Sequence, residues 1–368
     1  MTRSDVPRSD RSPSAAPRPE SPRGAGPGGV EPPWRADPRL AQALGSIRDY
    51  RPRRWLPLLL FALTFFTTTT LGAGWYLSTR TDVTWVPADV FGGMTWLGPG
   101  TAAQVWGDPG LLAIGLAFSV PTLFILLCHE LGHYLVCRRY GVPATWPHFL
   151  PVPIGLGTFG AFIRIKAPIR TKRQLFDIGI AGPIAGFVAL LPFLVFGLWR
   201  STPRAVEVAE PLTTNWILYL PGKSVLFRAL EGLFHGAPAP DRVLDLHPFA
   251  LAAWVGLLVT SLNLLPLGQL DGGHILYAVL GRRQRRLALV LWAVLFVGGF
   301  YWPGWWVWSF ILLLMRLGHP PVRDEAVPLD PRRRLLALAA LAMLVLSFTP
   351  VPLEILWNSS ITSGSRVT

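Results

Sequence analysis

His129, Glu130 and His133 stand in the order H-E-x-x-H. On a helix, side chains at i and i+4 share one face a turn apart, so both imidazoles can bind one Zn²⁺. Glu130 then points about 100° away, where it can take a proton from a metal-activated water. The chemistry implied is metal-assisted hydrolysis. Its setting narrows it further, because the motif ends an apolar run, residues 111–127, long enough to enter a bilayer. Ionisable groups inside such runs are expensive and are kept mainly where they function. The motif therefore points to hydrolysis within the membrane.

Two histidines leave a catalytic zinc site one protein ligand short. Residues 263–274 read N-L-L-P-L-G-Q-L-D-G-G-H, from Asn263 through Asp271 to His274. Asp271 is the sole carboxylate between Asp245 and Asp324, and its surroundings are apolar. An unpaired carboxylate is costly in such a place, whereas a metal neutralises it. Asp271 is the favoured third ligand, and His274 is the alternative. If His274 is not a ligand, it reads as an interfacial residue or one that supports the ligands from behind.

The elements that must carry these residues are membrane spans. Hydrophobic residues make up 51% of the chain and charged residues only 15%, below the roughly 25% charged of a soluble domain. Apolar stretches cover 56–77, 111–136, 175–199, 248–267, 287–302, 305–317 and 335–353. Each approaches or exceeds the length needed to cross about 30 Å of hydrocarbon, which gives six or seven spans. The region 302–308 is where one hairpin could replace two helices. Its Trp302, Trp305, Trp306 and Trp308 suit an interfacial belt.

A net charge of +13 raises the question of nucleic acid, but the basic residues sit at span ends. Arg48, Arg51, Arg53 and Arg54 precede the first span, and Arg138 and Arg139 follow the second. Arg170, Lys172 and Arg173 precede the third, Arg282, Arg283, Arg285 and Arg286 the fifth, and Arg332, Arg333 and Arg334 the last. This is the positive-inside pattern, with the amino terminus cytoplasmic and segments 78–110 and 204–245 outside. The second and fourth spans then both run inward, so their motifs can meet at one depth. Residues 1–38 are rich in Pro, Arg, Ser and Gly and read as a disordered tail. No removable signal peptide is expected; the first span serves as an uncleaved anchor. Cys128 and Cys137, on one expected helix, lie roughly 13 Å apart and cannot pair.

H-E-x-x-H in one membrane helix, followed far downstream by N-x-x-P-x-x-x-L-D-G, resembles the site-2 protease family of intramembrane zinc metalloproteases. Gly157-Thr-Phe-Gly160 and the block from Asp177 to Gly186 are similar to the branch with plant chloroplast homologues. The resemblance covers about residues 111–280. It implies His129, His133 and Asp271 as zinc ligands and Glu130 as the catalytic base, with Asn263 positioning substrate or stabilising an oxyanion. Many members carry a PDZ-like domain, for which residues 200–247 are too few.

Residues 147–165 alternate strand formers with Pro and Gly and read as a β-hairpin or re-entrant loop beside the histidine helix. An extended substrate could pair with its edge. Gly179, Gly182 and Gly186 form small-residue stripes suited to close packing that also shapes the site. Residues 216–234 form an amphipathic stretch that could lie on the membrane surface.

The expected fold is an all-α polytopic membrane protein with six or seven transmembrane helices and a short membrane-associated β-hairpin or re-entrant loop. Its parts are a basic cytoplasmic tail (1–54), the first span and outward loop (55–110), a catalytic core (111–281), accessory helices (282–353) and a short polar tail (354–368). The expected function is zinc-dependent endoproteolysis of transmembrane or membrane-proximal bonds, as in regulated intramembrane proteolysis, in the cell (inner) membrane. The expected partners are a transmembrane protein substrate, the lipid bilayer and an upstream protease acting on the same substrate, with no nucleic acid. The rival classes are an inactive membrane scaffold and a His/Asp-lined ion transporter. A transporter would show repeated halves, and a scaffold would lack Glu130 or a ligand.

Overall fold

The computed structural model describes residues 55–78, 99–205, 217–237, 242–315, 317–319, 322, 324–325 and 328–357. The expected tail, 1–54, and most of the first outward loop lie outside the described residues.

In chain order the elements are α1 (Trp55–Ser78), α2 (Pro99–Gly107), α3 (Pro109–Arg139), β1 (His148–Pro151), β2 (Thr158–Phe162) and α4 (Lys172–Arg200). Then come β3 (Thr202–Ala205), β4 (Ile217–Pro221), α5 (Val225–His235), β5 (Arg242–Asp245) and α6 (Pro248–Leu264). The remainder are α7 (Asp271–Leu280), α8 (Gln284–Gly298), α9 (Gly304–Leu314), α10 (Pro331–Ser347) and β6 (Leu353–Trp357). The described chain is mostly helical, and α1, α3 and α4 are long and apolar enough to cross a membrane.

Helix α3 is set locally. The Asp108 carboxylate accepts from the amides of Gly110 and Leu111, and Pro109 occupies the first turn, where its missing N–H costs nothing. Arg138 and Arg139 in the last turn complement the helix dipole. Helix α4 starts on the Thr171 hydroxyl, which accepts from the Gln174 amide. It packs lengthwise on α3, while α6 lies against both and α1 covers the other side of α3. The shared core holds Phe118, Ile125, Leu190, Leu194, Leu198 and Trp254.

Helix α1 buries Thr64, Thr67, Thr68, Thr69 and Thr70. Such hydroxyls are tolerable in an apolar setting only when bonded. Thr64 and Thr70 donate to backbone carbonyls four residues back, and Thr69 pairs with Ser119 of α3 at 2.7 Å. Thr67 also reaches the Gly157 carbonyl at 2.7 Å, tying α1 to the loop between β1 and β2.

The strands form antiparallel pairs. His148 faces Phe162 and Phe149 faces Ala161 in β1–β2, with a register irregularity before Pro151. Thr202 faces Asp245 in β3–β5, and Ile217 faces Trp357 in β4–β6. The described part of the amphipathic stretch 216–234 is thus a strand followed by a helix. Pro221 and Gly222 stop β4, and Ser224 caps α5 by accepting from Phe227. Trp305 is buried against its neighbours and stacks on Phe348 at 5.6 Å.

Candidate metal centre

The fourth apolar stretch, expected over 248–267, stops as a helix at Leu264. Pro266 cannot donate the next helical hydrogen bond and biases Leu265 to extended backbone. Gly268 then takes a left-handed φ of 56°, and α7 begins on Asp271 itself. The second motif is therefore an elbow between two helices, with Asn263 just before it and Asp271 just after. Gly272 and Gly273 let α7 fold back tightly: a Cβ on either would meet the Leu264 or Gly268 carbonyl at 2.0 and 2.4 Å.

This elbow delivers Asp271 to the histidines. Asp271 Oδ2 lies 3.1 Å from His129 Nε2 and 3.2 Å from His133 Nε2, and the two Nε2 atoms are 3.1 Å apart. The three atoms form a nearly equilateral triangle. Ligands of a tetrahedral ion with bonds of about 2.0–2.1 Å stand roughly 3.3 Å apart. The triangle fits such an ion with a fourth position open, and His129, His133 and Asp271 are the group among the described residues that could hold it. Both histidines are buried. His133 Nδ1 is 2.7 Å from the Ile178 carbonyl. An Nδ1–H donated there fixes the ring and leaves Nε2 as the metal-binding lone pair.

Glu130 is buried beside them at 6% exposure, and the backbone amide of Ile163, just past β2, faces its carboxylate. Asn263 Nδ2 lies 3.5 Å from His129 Nε2, at the rim of the triangle. His274 stands outside it. Its Cβ packs over Gly179, and its ring meets His319 edge-on at 4.8 Å. Cys128 and Cys137 are both free thiols.

The glycines of α4 make the back wall. A Cβ at Gly182 would stand 2.1 Å from His133 Nε2, and one at Gly186 would stand 3.1 Å from His129 Cβ. These positions do more than let helices approach, because they hold the space in which the imidazoles lie.

A set of groups behind the site was not anticipated from sequence. Asp177 of α4, next to Ile178, takes Arg333 Nε at 2.7 Å and Nη2 at 2.5 Å, and also accepts from the Tyr140 hydroxyl. Arg333 further contacts Asp330, whose carboxyl is held below the usual carboxylate range by the Arg333 amide and guanidinium. The signal was present: Asp177 is the sole carboxylate in the apolar stretch 175–199, the same feature that singled out Asp271. Gly268 donates to the Leu317 carbonyl, and the Asp324 amide donates to Arg170.

A buried triangle of two imidazoles and one carboxylate that could hold a zinc ion, backed by a glycine wall, flanked by a buried glutamate and carried among helices long and apolar enough to cross a membrane, defines the class as an integral membrane protein with a candidate metal centre. Residues 117–299 match Peptidase family M50, the site-2 protease family, and the chain belongs to it. The match continues past residue 280, where the motif resemblance stops, and takes in α8. Among curated relatives, the Arabidopsis thaliana protein "Probable zinc metalloprotease EGY2, chloroplastic" is 29% identical over 69% of this chain and 45% of its own length. The Arabidopsis protein of the same description designated EGY1 is 32% identical over 65% of this chain and 43% of its own. The EGY1 protein of Oryza sativa subsp. japonica is 30% identical over 80% and 50%. The chain thus spans half or less of the length of these relatives.

Proposed function

We propose that this chain is a zinc-dependent endopeptidase that cleaves transmembrane or membrane-proximal peptide bonds. His129, His133 and Asp271 are its metal ligands and Glu130 is its general base. The observation that carries the reading is the 3.1–3.2 Å triangle of ligand atoms with a buried carboxylate on the residue after the first histidine. When bound there, zinc supplies a Lewis acid and a water nucleophile usable near neutral pH. Glu130 takes one proton from the attacking water as the C–O bond forms, then returns it to the leaving amine as the C–N bond breaks. Asn263, at the rim of the open position, donates its amide N–H to the oxygen that gains charge. Ile178 holds His133 in the tautomer this requires.

Strand β2 offers a way to present substrate. Its partner among the described residues is β1 alone, Phe159 on it is 75% exposed, and Ile163 just beyond it faces Glu130. A substrate helix unwound to a strand can add to this edge through main-chain hydrogen bonds, bringing a peptide bond toward the base. The shorter helices α6, α8, α9 and α10 complete a bundle of six or seven spans. Arginines at the end of α3 and at the starts of α8 and α10 support a cytoplasmic amino terminus in the cell (inner) membrane. In that setting the enzyme acts in regulated intramembrane proteolysis, on a substrate first trimmed by an upstream protease.

The test is Glu130→Gln in the purified full chain, assayed on a transmembrane substrate with metal measured in parallel. The amide keeps the shape and cannot act as base. Zinc content at the wild-type level with cleavage lowered by about 10²–10⁴-fold is expected. Cleavage at the wild-type rate would overturn the assignment.

A further inference from the structure

Of the threonines buried on α1, one is used differently from the rest. Thr64, Thr68 and Thr70 each donate to a carbonyl four residues back in their own helix, and Thr69 pairs with Ser119 of α3. Thr67 has two carbonyls of α1 within reach, Leu63 at 3.0 Å and Thr64 at 3.1 Å. Its shortest contact is nevertheless the Gly157 carbonyl at 2.7 Å, 90 residues along the chain. A hydroxyl carries one proton, and the geometry gives the larger share of it to the bond that leaves the helix.

Backbone shape makes this contact possible. Gly157 closes the turn between β1 and β2: its amide donates to the Ile154 carbonyl, and its own carbonyl also accepts from Val152. Its φ is 80°, in the left-handed region that favours glycine. A Cβ there would stand 2.6 Å from backbone atoms of Thr67 and Thr68, so the turn lies directly on the α1 backbone. Earlier on α1, Phe61 meets Phe149 of β1 edge-on at 5.2 Å. The helix therefore supports the hairpin at two points. It is itself seated on α3, where a Cβ at Gly115 would meet the Thr69 carbonyl at 2.4 Å.

The two ends of β2 are held by different partners. Beyond Phe162 the chain is tied to residues 143–145. The Arg164 amide donates to the Thr145 hydroxyl at 2.9 Å, Thr145 donates to the Arg164 carbonyl at 3.0 Å, and Lys166 donates to the Pro143 carbonyl at 2.8 Å. These bonds fix the end that faces Glu130. At the other end the β1–β2 register is irregular before Pro151, and the Thr158 hydroxyl reaches the Leu150 carbonyl at 3.1 Å. There the Thr67 bond to Gly157 ties the strand to a membrane helix. Exposed Phe159, on the edge where an extended substrate would add, follows two residues later.

We infer that Thr67 is a positioning residue: through the Gly157 carbonyl it holds the start of β2 in register for an incoming substrate strand. It acts on substrate binding and leaves the chemistry at the metal to the other end of the strand. The inference rests on the protease reading above.

The experiment compares Thr67→Val, which keeps the shape and removes the hydroxyl, with Thr67→Ser, which keeps the hydroxyl. Both are made in the full chain in bilayer discs. Zinc content, steady-state cleavage of a transmembrane substrate and amide hydrogen exchange are measured on each. Thr67→Val should raise KM about tenfold, with kcat changed by less than about twofold and zinc unaltered. Exchange over residues 155–160 should quicken about tenfold, while that over 161–166 stays as in the wild type. Thr67→Ser should restore both KM and exchange. Unaltered exchange over 155–160 in Thr67→Val would overturn the latch. Faster exchange with an unchanged KM would overturn its role in substrate binding, and joint loss of kcat and zinc would reduce Thr67 to a support of the fold. A wild type that cleaves nothing would instead count against the protease reading and take the substrate role with it, and exchange would still decide the latch.

Discussion

The two sides of the metal triangle are built differently. His129, Glu130 and His133 ride on a single uninterrupted helix, Pro109–Arg139, so their relation is fixed by helical geometry. Asp271 opens a short helix after the elbow, and its position depends on Pro266, Gly268, Gly272, Gly273 and the chain from Leu317 onward. In the proposed site the rigid side supplies two ligands and the base, and the jointed side supplies the third ligand and Asn263. A metal centre assembled this way tolerates little on the first side and is adjustable on the second.

That contrast can be broken at single glycines. Gly182→Ala sets a methyl 2.1 Å from His133 Nε2 against two packed helices with no freedom to yield. It should lower zinc affinity by about 100-fold or more, the upper range for changes that disturb ligand orientation, as read by competition with a chelator. Gly272→Ala crowds the backbone of the elbow, with the Leu264 carbonyl at 2.0 Å, so the elbow must shift, displacing Asp271 while both histidines stay in place. We expect a loss nearer tenfold, with His129 and His133 still binding metal weakly. Equal losses in the two variants would remove the distinction between rigid and jointed sides.

Arg333→Gln probes the clamp behind the rigid side. It removes charge-assisted bonds to Asp177 worth about 1–3 kcal/mol. The thermal midpoint should fall by a few degrees and zinc affinity by a few-fold through Ile178. A lowered midpoint with unaltered metal affinity would make the clamp structural only. Gly186→Ala should be the mildest, because its methyl meets His129 Cβ at 3.1 Å and a small shift absorbs that. Phe159→Pro tests the substrate edge instead. It removes a backbone donor from β2 and should lower cleavage of a membrane substrate while leaving zinc content unchanged.

What the sequence made legible follows the same division. The i, i+4 spacing of His129 and His133 and the apolar run before them needed only local geometry, and α3 agrees with both. Asp271 was legible because a lone carboxylate in an apolar segment requires a partner. The same reasoning applied to Asp177 would have pointed to the clamp, but its partner Arg333 lies 156 residues away, beyond any local pattern. The glycines of α4 read as packing residues, and only the folded chain shows that Gly182 faces an imidazole nitrogen. The stretch 216–234 was legible only as amphipathic, and the break at Pro221 and Gly222 that divides its described residues into β4 and α5 came from the fold. Trp305 was singled out by its type alone, and only the folded chain shows its hydrogen bond to the Pro350 carbonyl.

The central claim is that two separate elements close on one catalytic zinc. Elemental analysis of Asp271→Ala beside Glu130→Gln tests it most directly, with both purified as folded full chains. The account predicts one zinc per chain in Glu130→Gln and loss of zinc in Asp271→Ala, with both inactive. Full zinc retention in Asp271→Ala would contradict it, since the jointed side would then contribute no ligand.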